Sequence, residues 1–176
     1  WATYFLRYSN TFHLVGERKM GDIPADNASY DAAALRRHWA AIQHGFWEPE
    51  YHRLILAEGR TLMWVPAMRV TQCASYPFGA FCRQRLLHGR EFGSSRIREK
   101  SPGMRFLRLL LSPLIPPVFL TKIAWRIAKS RRRLVAQFIY SLPVLCVFVL
   151  VWAVGEAWGY LSPIPAVADQ RKAAVS

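Results

Sequence analysis

Three short stretches carry residues whose types and spacing suit chemistry. The first is GDIPADNASYDAAAL, residues 21–35. Pro24 and the Asp26–Asn27 pair favour a structured loop running into a helix N-terminus, where free amide donors hold anions and polar ligands. Plain helix capping accounts for the same residues. The second is HGFWEPEYHRLILAEG, residues 44–59, with Glu48 and Glu50 as the only acidic pair two residues apart. A carboxylate at a loop-to-helix junction beside aromatic residues can serve as a general base, and Glu48 and His52 stand one helical turn apart. Acids in a first turn also suit the helix dipole with no further role. The third is RQRLLHGR, residues 83–90. Arg83, Arg85, His88 and Arg90 form a cationic cluster, and guanidinium forks match phosphate oxygens. A basic face on a membrane surface is the alternative.

The elements that must position these residues read as a soluble α/β segment over residues 1–100. Ala2 to Tyr8 suits a strand. Asp31 to Gln43 has helical spacing, with Leu35, Trp39 and Ile42 on one stripe. Pro49 opens a second helix that runs to about Glu58, and Gly59 stops it. Thr61 to Val65 reads as a short strand ended by Pro66. Phe78 to Arg98 reads as a long basic helix, weakened by Gly79, Gly89 and Gly93. The best hinge lies between Ser94 and Gly103.

Absent motifs narrow the chemistry. The chain has no P-loop, GxGxxG, HExxH, GxSxG or Asp-x-Asp pattern. Cys73, Cys82 and Cys146 have no CxxC pairing, which disfavours a disulfide framework or structural zinc and fits a reducing compartment. His13, His38 and His44 lack ligand spacing.

The net charge is +13, and it is concentrated. Residues 83–133 hold fourteen basic and two acidic residues, whereas residues 1–82 hold eight and seven. Such a stretch suits nucleic acid or anionic lipid. Phe81 and Phe92 are the only aromatics in residues 79–100, too few for a base-stacking platform, so nucleic acid is not an expected partner. Leu134 to Val154 then runs 21 residues without a charge, about 30 Å of helix, which matches a bilayer core. Trp152, Trp158 and Tyr160 suit an interfacial belt at its far end. Leu109 to Trp125 is interrupted by Pro113, Pro116, Pro117 and Lys122. A full crossing there would put the basic residues 126–133 opposite the basic residues 83–108, against the positive-inside rule. An interfacial or re-entrant segment over 101–133 is therefore expected, then one transmembrane helix over 134–161 and a short external tail, 162–176.

In order, "PADNASY…AL", "GFWEPEYHRLILAEG", a strand ending "WVP" and "RQRLLHGR" before membrane segments resemble the C-terminal part of a family 2 glycosyltransferase. The likeness covers roughly residues 20–98. It implies an inverting enzyme with an α/β, GT-A-type nucleotide-sugar-binding fold, followed by interfacial and transmembrane helices. Aligned on Gly59, Glu48 falls on the family's catalytic base and Glu50 on its later, supporting acid; Trp47 replaces the family's first glutamate. Asp26, Asn27, Trp47 and His52 then fall on the substrate side. Arg83, Gln84, Arg85, His88 and Arg90 match the acceptor or diphosphate motif in part, without its usual Trp. The family's metal-binding Asp-x-Asp lies upstream of this stretch, so a divalent metal (Mg or Mn) is expected in the complete enzyme, with no ligands here, and residues 1–100 are expected to be an incomplete catalytic domain. The implied partners are a nucleotide-sugar donor, a saccharide or lipid-linked acceptor and membrane lipids. The implied location is the inner (plasma) membrane with the catalytic part cytoplasmic. A non-enzymatic membrane adaptor that binds anionic lipid or a partner protein through the basic stretch is the alternative.

Overall fold

The computed structural model describes residues 1–42, 47–71, 76–97 and 100–164, without the side chains of Ala25, residues 40–42, Trp47 and Glu50. It is 73% helical and 4% strand. The expected α/β, GT-A-type fold is therefore wrong: among the described residues the only sheet is one antiparallel pair, β1 (Arg18–Met20) and β2 (Leu62–Trp64), in the register Arg18 to Trp64 and Met20 to Leu62. Three-residue strands cannot build a parallel sheet core.

The chain forms two compact units. The smaller, residues 14–71 of the described chain, holds β1, α2 (Ala32–Ile42), α3 (Trp47–Ala57) and β2. Its core is Tyr51, Ile55 and Leu62, packed by Met20, Ile23, Tyr30, Leu35 and Leu56. Both helices lie close to their expected spans. Gly59 ends α3 at φ +77, the left-handed region open to glycine. The Arg60 amide reaches the Ile55 carbonyl (3.1 Å) and the Gly59 amide reaches Leu56 (3.0 Å), the double bond of a Schellman cap.

The larger unit joins α1 (Ala2–Tyr8) to α4 (Phe78–Ile97), α5 (Pro102–Leu111), α6 (Ile115–Ser130) and α7 (Val135–Leu161). Residues 2–8 are a helix rather than the expected strand. Helical spacing turns Ala2, Phe5 and Ser9 inward together, and the Phe5 ring meets Phe138 of α7 edge-on at 5.7 Å. Ser101 caps α5 by accepting the Met104 amide, with Pro102 at the first helical position. A single 3-10 turn at 112–114 links α5 to α6, so Pro102–Ser130 is helical throughout.

Two segments, Pro102–Ser130 and Arg132–Leu161, are long and apolar enough to cross a membrane. They run antiparallel. Arg105 of α5 donates to the carbonyls of Tyr160 and Leu161 at the end of α7, while Ile123 and Ile127 of α6 share a core with Phe138 near its start. Alongside them α4 runs parallel to the second half of α7, from Phe81 against Phe148 (4.6 Å) to Arg96 against Glu156.

Candidate functional site

In the smaller unit the residues around α2 and α3 enclose a cleft of ≈ 280 Å³. Asn27, Tyr30, Asp31, Tyr51, Arg60 and Trp64 are among those that line it. Asp31 caps α2: its Oδ1 accepts the Ala33 amide at 2.9 Å and its Oδ2 accepts Arg60 at 2.9 Å. Those donors, the amide first, hold the Asp31 carboxyl below the usual range. The Schellman turn at Gly59 puts Arg60 within reach of it. Asn27 donates its side-chain amide to the Met68 carbonyl at 3.0 Å, tying the loop before α2 to the chain after β2.

Beside the cleft, His52 of α3 is 1% exposed. Its Nδ1 lies 2.5 Å from Asp22 Oδ1 and its Nε2 lies 2.8 Å from the Tyr30 hydroxyl. An ionised carboxylate only accepts, so Nδ1 donates to Asp22 and a neutral ring accepts the Tyr30 proton at Nε2. Burial first, then the nearby charge of Glu48, pushes the Tyr30 phenol up. Tyr30 therefore stays protonated at neutral pH, with its hydroxyl facing His52 Nε2.

The predicted site residues separate. Asn27 lines the cleft, Asp26 is exposed in the preceding 3-10 turn, and His52 is buried beside Tyr30. Glu48 is half-buried in the first turn of α3 and does not line the cleft. It does not orient His52, whose two ring nitrogens belong to Asp22 and Tyr30. The side chains of Trp47 and Glu50 lie outside the described residues. Among the described residues no three His, Cys, Asp or Glu side chains converge to hold a metal.

The basic cluster lies on α4, in the other unit, and does not converge on one point. Arg83 is exposed. Arg85 contacts Gln84 (3.4 Å) and His88 Nδ1 (3.1 Å) and lies over the Phe81 and Trp152 rings. Arg90 lies 4.0 Å over Trp158. Two of the three arginines expected to grip phosphate are thus laid along aromatic rings.

Sequence reasoning missed what this helix does. Gly89 and Gly93 of α4 face Gly155 and Gly159 of α7. A Cβ built at any of the four would stand 2.2–2.4 Å from a carbonyl oxygen of the opposing backbone. The signal was present: each helix carries a G-x-x-x-G, the spacing that lets helices meet backbone to backbone. Glu156 was missed too. It is 2% exposed and accepts Arg96 at 2.9 Å, Trp152 Nε1 at 3.1 Å and the Tyr160 hydroxyl. Burying a carboxylate requires such donors. Arg96→Met leaves that buried charge without its cation and is expected to cost about 1–3 kcal/mol, whereas Glu156→Gln, which keeps shape and acceptor, costs about half as much. Thermal unfolding in detergent reads both, and a larger loss in Glu156→Gln would show that the carboxylate is not ionised there.

No family model matches the chain, and no curated protein or solved structure is significantly similar to it.

Proposed function

We propose that this chain works at a membrane, embedded by the helical hairpin of α5, α6 and α7, and that its smaller unit serves sugar transfer. One observation carries the membrane reading: the outward faces of both long segments are largely apolar, with Lys122 the charged interruption in the first. Phe106, Leu110, Leu114, Phe119 and Trp125 on one, and Ile139, Val147, Leu150 and Val154 on the other, are exposed. Water penalises such a surface, while lipid tails accept it. Two crossings return the chain to the side it left, so reporters fused after Lys100 and after Ser162 should give the same signal and one after Ser130 the opposite signal. Equal signals at Lys100 and Ser130 would restore the single crossing expected from the charge pattern. Release of the chain from membranes by alkaline carbonate would remove the membrane reading itself.

The transfer reading rests on the family 2 glycosyltransferase resemblance. What supports it is local: two of the segments that carry the likeness, 21–35 and 47–59, pack around one cleft, joined there by Trp64 and Val65 of the third. The test is incorporation of labelled sugar from a nucleotide-sugar panel by membranes holding the complete enzyme. Membrane retention with no transfer from any donor would leave the adaptor as the function.

A further inference from the structure

Up to the last turns of α7, where Glu156 sits, the hairpin is charged with one sign only. Between Lys100 and Gly155 there are nine basic residues and no acidic one. They gather at its two ends, yet the ends differ in what their guanidinium groups do.

At the end where α5 begins and α7 finishes, the arginines are used within the molecule. The last carbonyls of a helix have no partner inside it and carry partial negative charge. Arg105 fills that role for Tyr160 and Leu161, and Arg90 reaches the Ser162 carbonyl at 3.5 Å. Arg96 pairs with Glu156, and Arg108 donates to the Arg96 carbonyl at 2.6 Å. Lys100 is the described exception, exposed and without a partner among the described residues.

At the other end, the turn between α6 and α7, the arrangement is reversed. Lys129, Arg131, Arg132 and Arg133 are all exposed. Arg132 bonds the Ala128 carbonyl through Nε at 3.1 Å. The side chains of Lys129, Arg131 and Arg133 make no hydrogen bond or ion pair among the described residues. Three unspent cations stand at the mouth of two apolar helices, where phospholipid phosphates lie when such helices are in a bilayer.

We infer that the α6–α7 turn is an anionic-lipid contact, with Arg131 and Arg133 as its principal donors to headgroup phosphates, while the arginines at the opposite end are spent on carbonyls of α4 and α7 and on Glu156. The inference rests on the hairpin being in a bilayer. A planar fork can grip a phosphate through two donors, and basic residues at a helix end are drawn to an anionic surface. The occupant is the lipid surface rather than free phosphate, because the cations continue an apolar face and are all exposed.

The test uses the purified full chain in nonionic detergent, with phosphatidylglycerol or phosphatidylcholine added and thermal unfolding recorded. A ligand that binds the folded state raises the midpoint. Phosphatidylglycerol should raise Tm by several degrees more than phosphatidylcholine. In the double variant Arg131→Gln, Arg133→Gln that difference should fall by about half or more. Arg108→Gln should lower Tm in both lipids alike and preserve the difference. Salt at about 1 M, which shortens screening to ~3 Å, should erase it in the unaltered chain, a readout that needs no variant. An inorganic phosphate control should leave Tm unchanged. An absent lipid difference, one that survives in the double variant or in salt, or an equal effect of free phosphate would each overturn the inference. Carbonate extraction from membranes reports separately on the bilayer reading.

Discussion

Gly93→Ala and Gly155→Ala are expected to unfold the larger unit at markedly lower temperature, while Gly79→Ala and Gly103→Ala leave it unchanged or slightly more stable. The same chemical change takes opposite signs because of what each new methyl meets. At Gly79 and Gly103 it meets nothing within 4 Å, so the usual helix preference for Ala over Gly, up to about 1 kcal/mol, is gained. At Gly93 the methyl would stand 2.3 Å from the Glu156 carbonyl oxygen, and at Gly155 it would stand 2.2 Å from that of Leu86. Both obstacles are backbone, so no rotamer change relieves them and the helices must separate. Overpacking typically costs about 1–3 kcal/mol, and a clash with backbone lies at the upper end. Separation also weakens the Arg96–Glu156 pair, so the loss should exceed that of Arg96→Met. Thermal unfolding of the four variants in one detergent decides it. A stabilised Gly93→Ala would mean that α4 and α7 do not meet along this face.

The second large effect concerns Glu48 under the proposed sugar transfer. If sugar transfer is the reaction, an acceptor hydroxyl must lose its proton as it attacks, and removing a general base typically lowers turnover by ~10²–10⁴. Glu48→Gln should then reduce kcat by that order, with donor affinity nearly unchanged, and Glu48→Asp should retain part of the activity. A helix-dipole role predicts near-normal turnover and a stability loss of about 0.3–1 kcal/mol. Glu48 lies outside the cleft lining, so the acceptor hydroxyl would have to approach from the first turn of α3 rather than from Asn27 and Tyr30. Steady-state kinetics on Glu48→Gln separates the views; wild-type turnover would remove this carboxylate from the mechanism.

Local signals in the sequence were legible. The helical spacing after Asp31, the stop at Gly59 and the uncharged run from Leu134 correspond to α2, the end of α3 and α7, although Trp39 of the expected apolar stripe is exposed. Errors arose where a distant partner decides. Residues 2–8 have no strand to pair with, and Phe5 instead finds Phe138, far along the chain. The family likeness brought an expected sheet with it, although the motifs that carry the likeness lie on three helices, one three-residue strand and flanking loops. Gly89 and Gly93 were read as weak points because helix propensity describes a helix alone; against a second backbone the missing side chains are the contact. In the candidate site His52 was visible, but Asp22 and Tyr30, which fix its ring, stand 30 and 22 residues before it and share no motif with it. The basic run misled because counting charges treats every arginine alike, whereas Arg105 and Arg108 spend their donors on carbonyl groups and Arg131 and Arg133 do not.

The Arg96–Glu156 pair also has a timetable. Its members are 60 residues apart, and α4 leaves the ribosome first. At a synthesis rate of about 5–20 residues per second, α4 waits roughly 3–12 s before its glycine face has a mate. During that interval the helix carries Arg85, Arg90 and Arg96 with none of the rings or the carboxylate of α7 to receive them. A chain that has passed the turn at 131–134 but not yet reached Gly155 holds the hairpin turn and leaves the glycine face of α4 without its mate. The contacts that bury α4 are completed only when synthesis has run through to Tyr160.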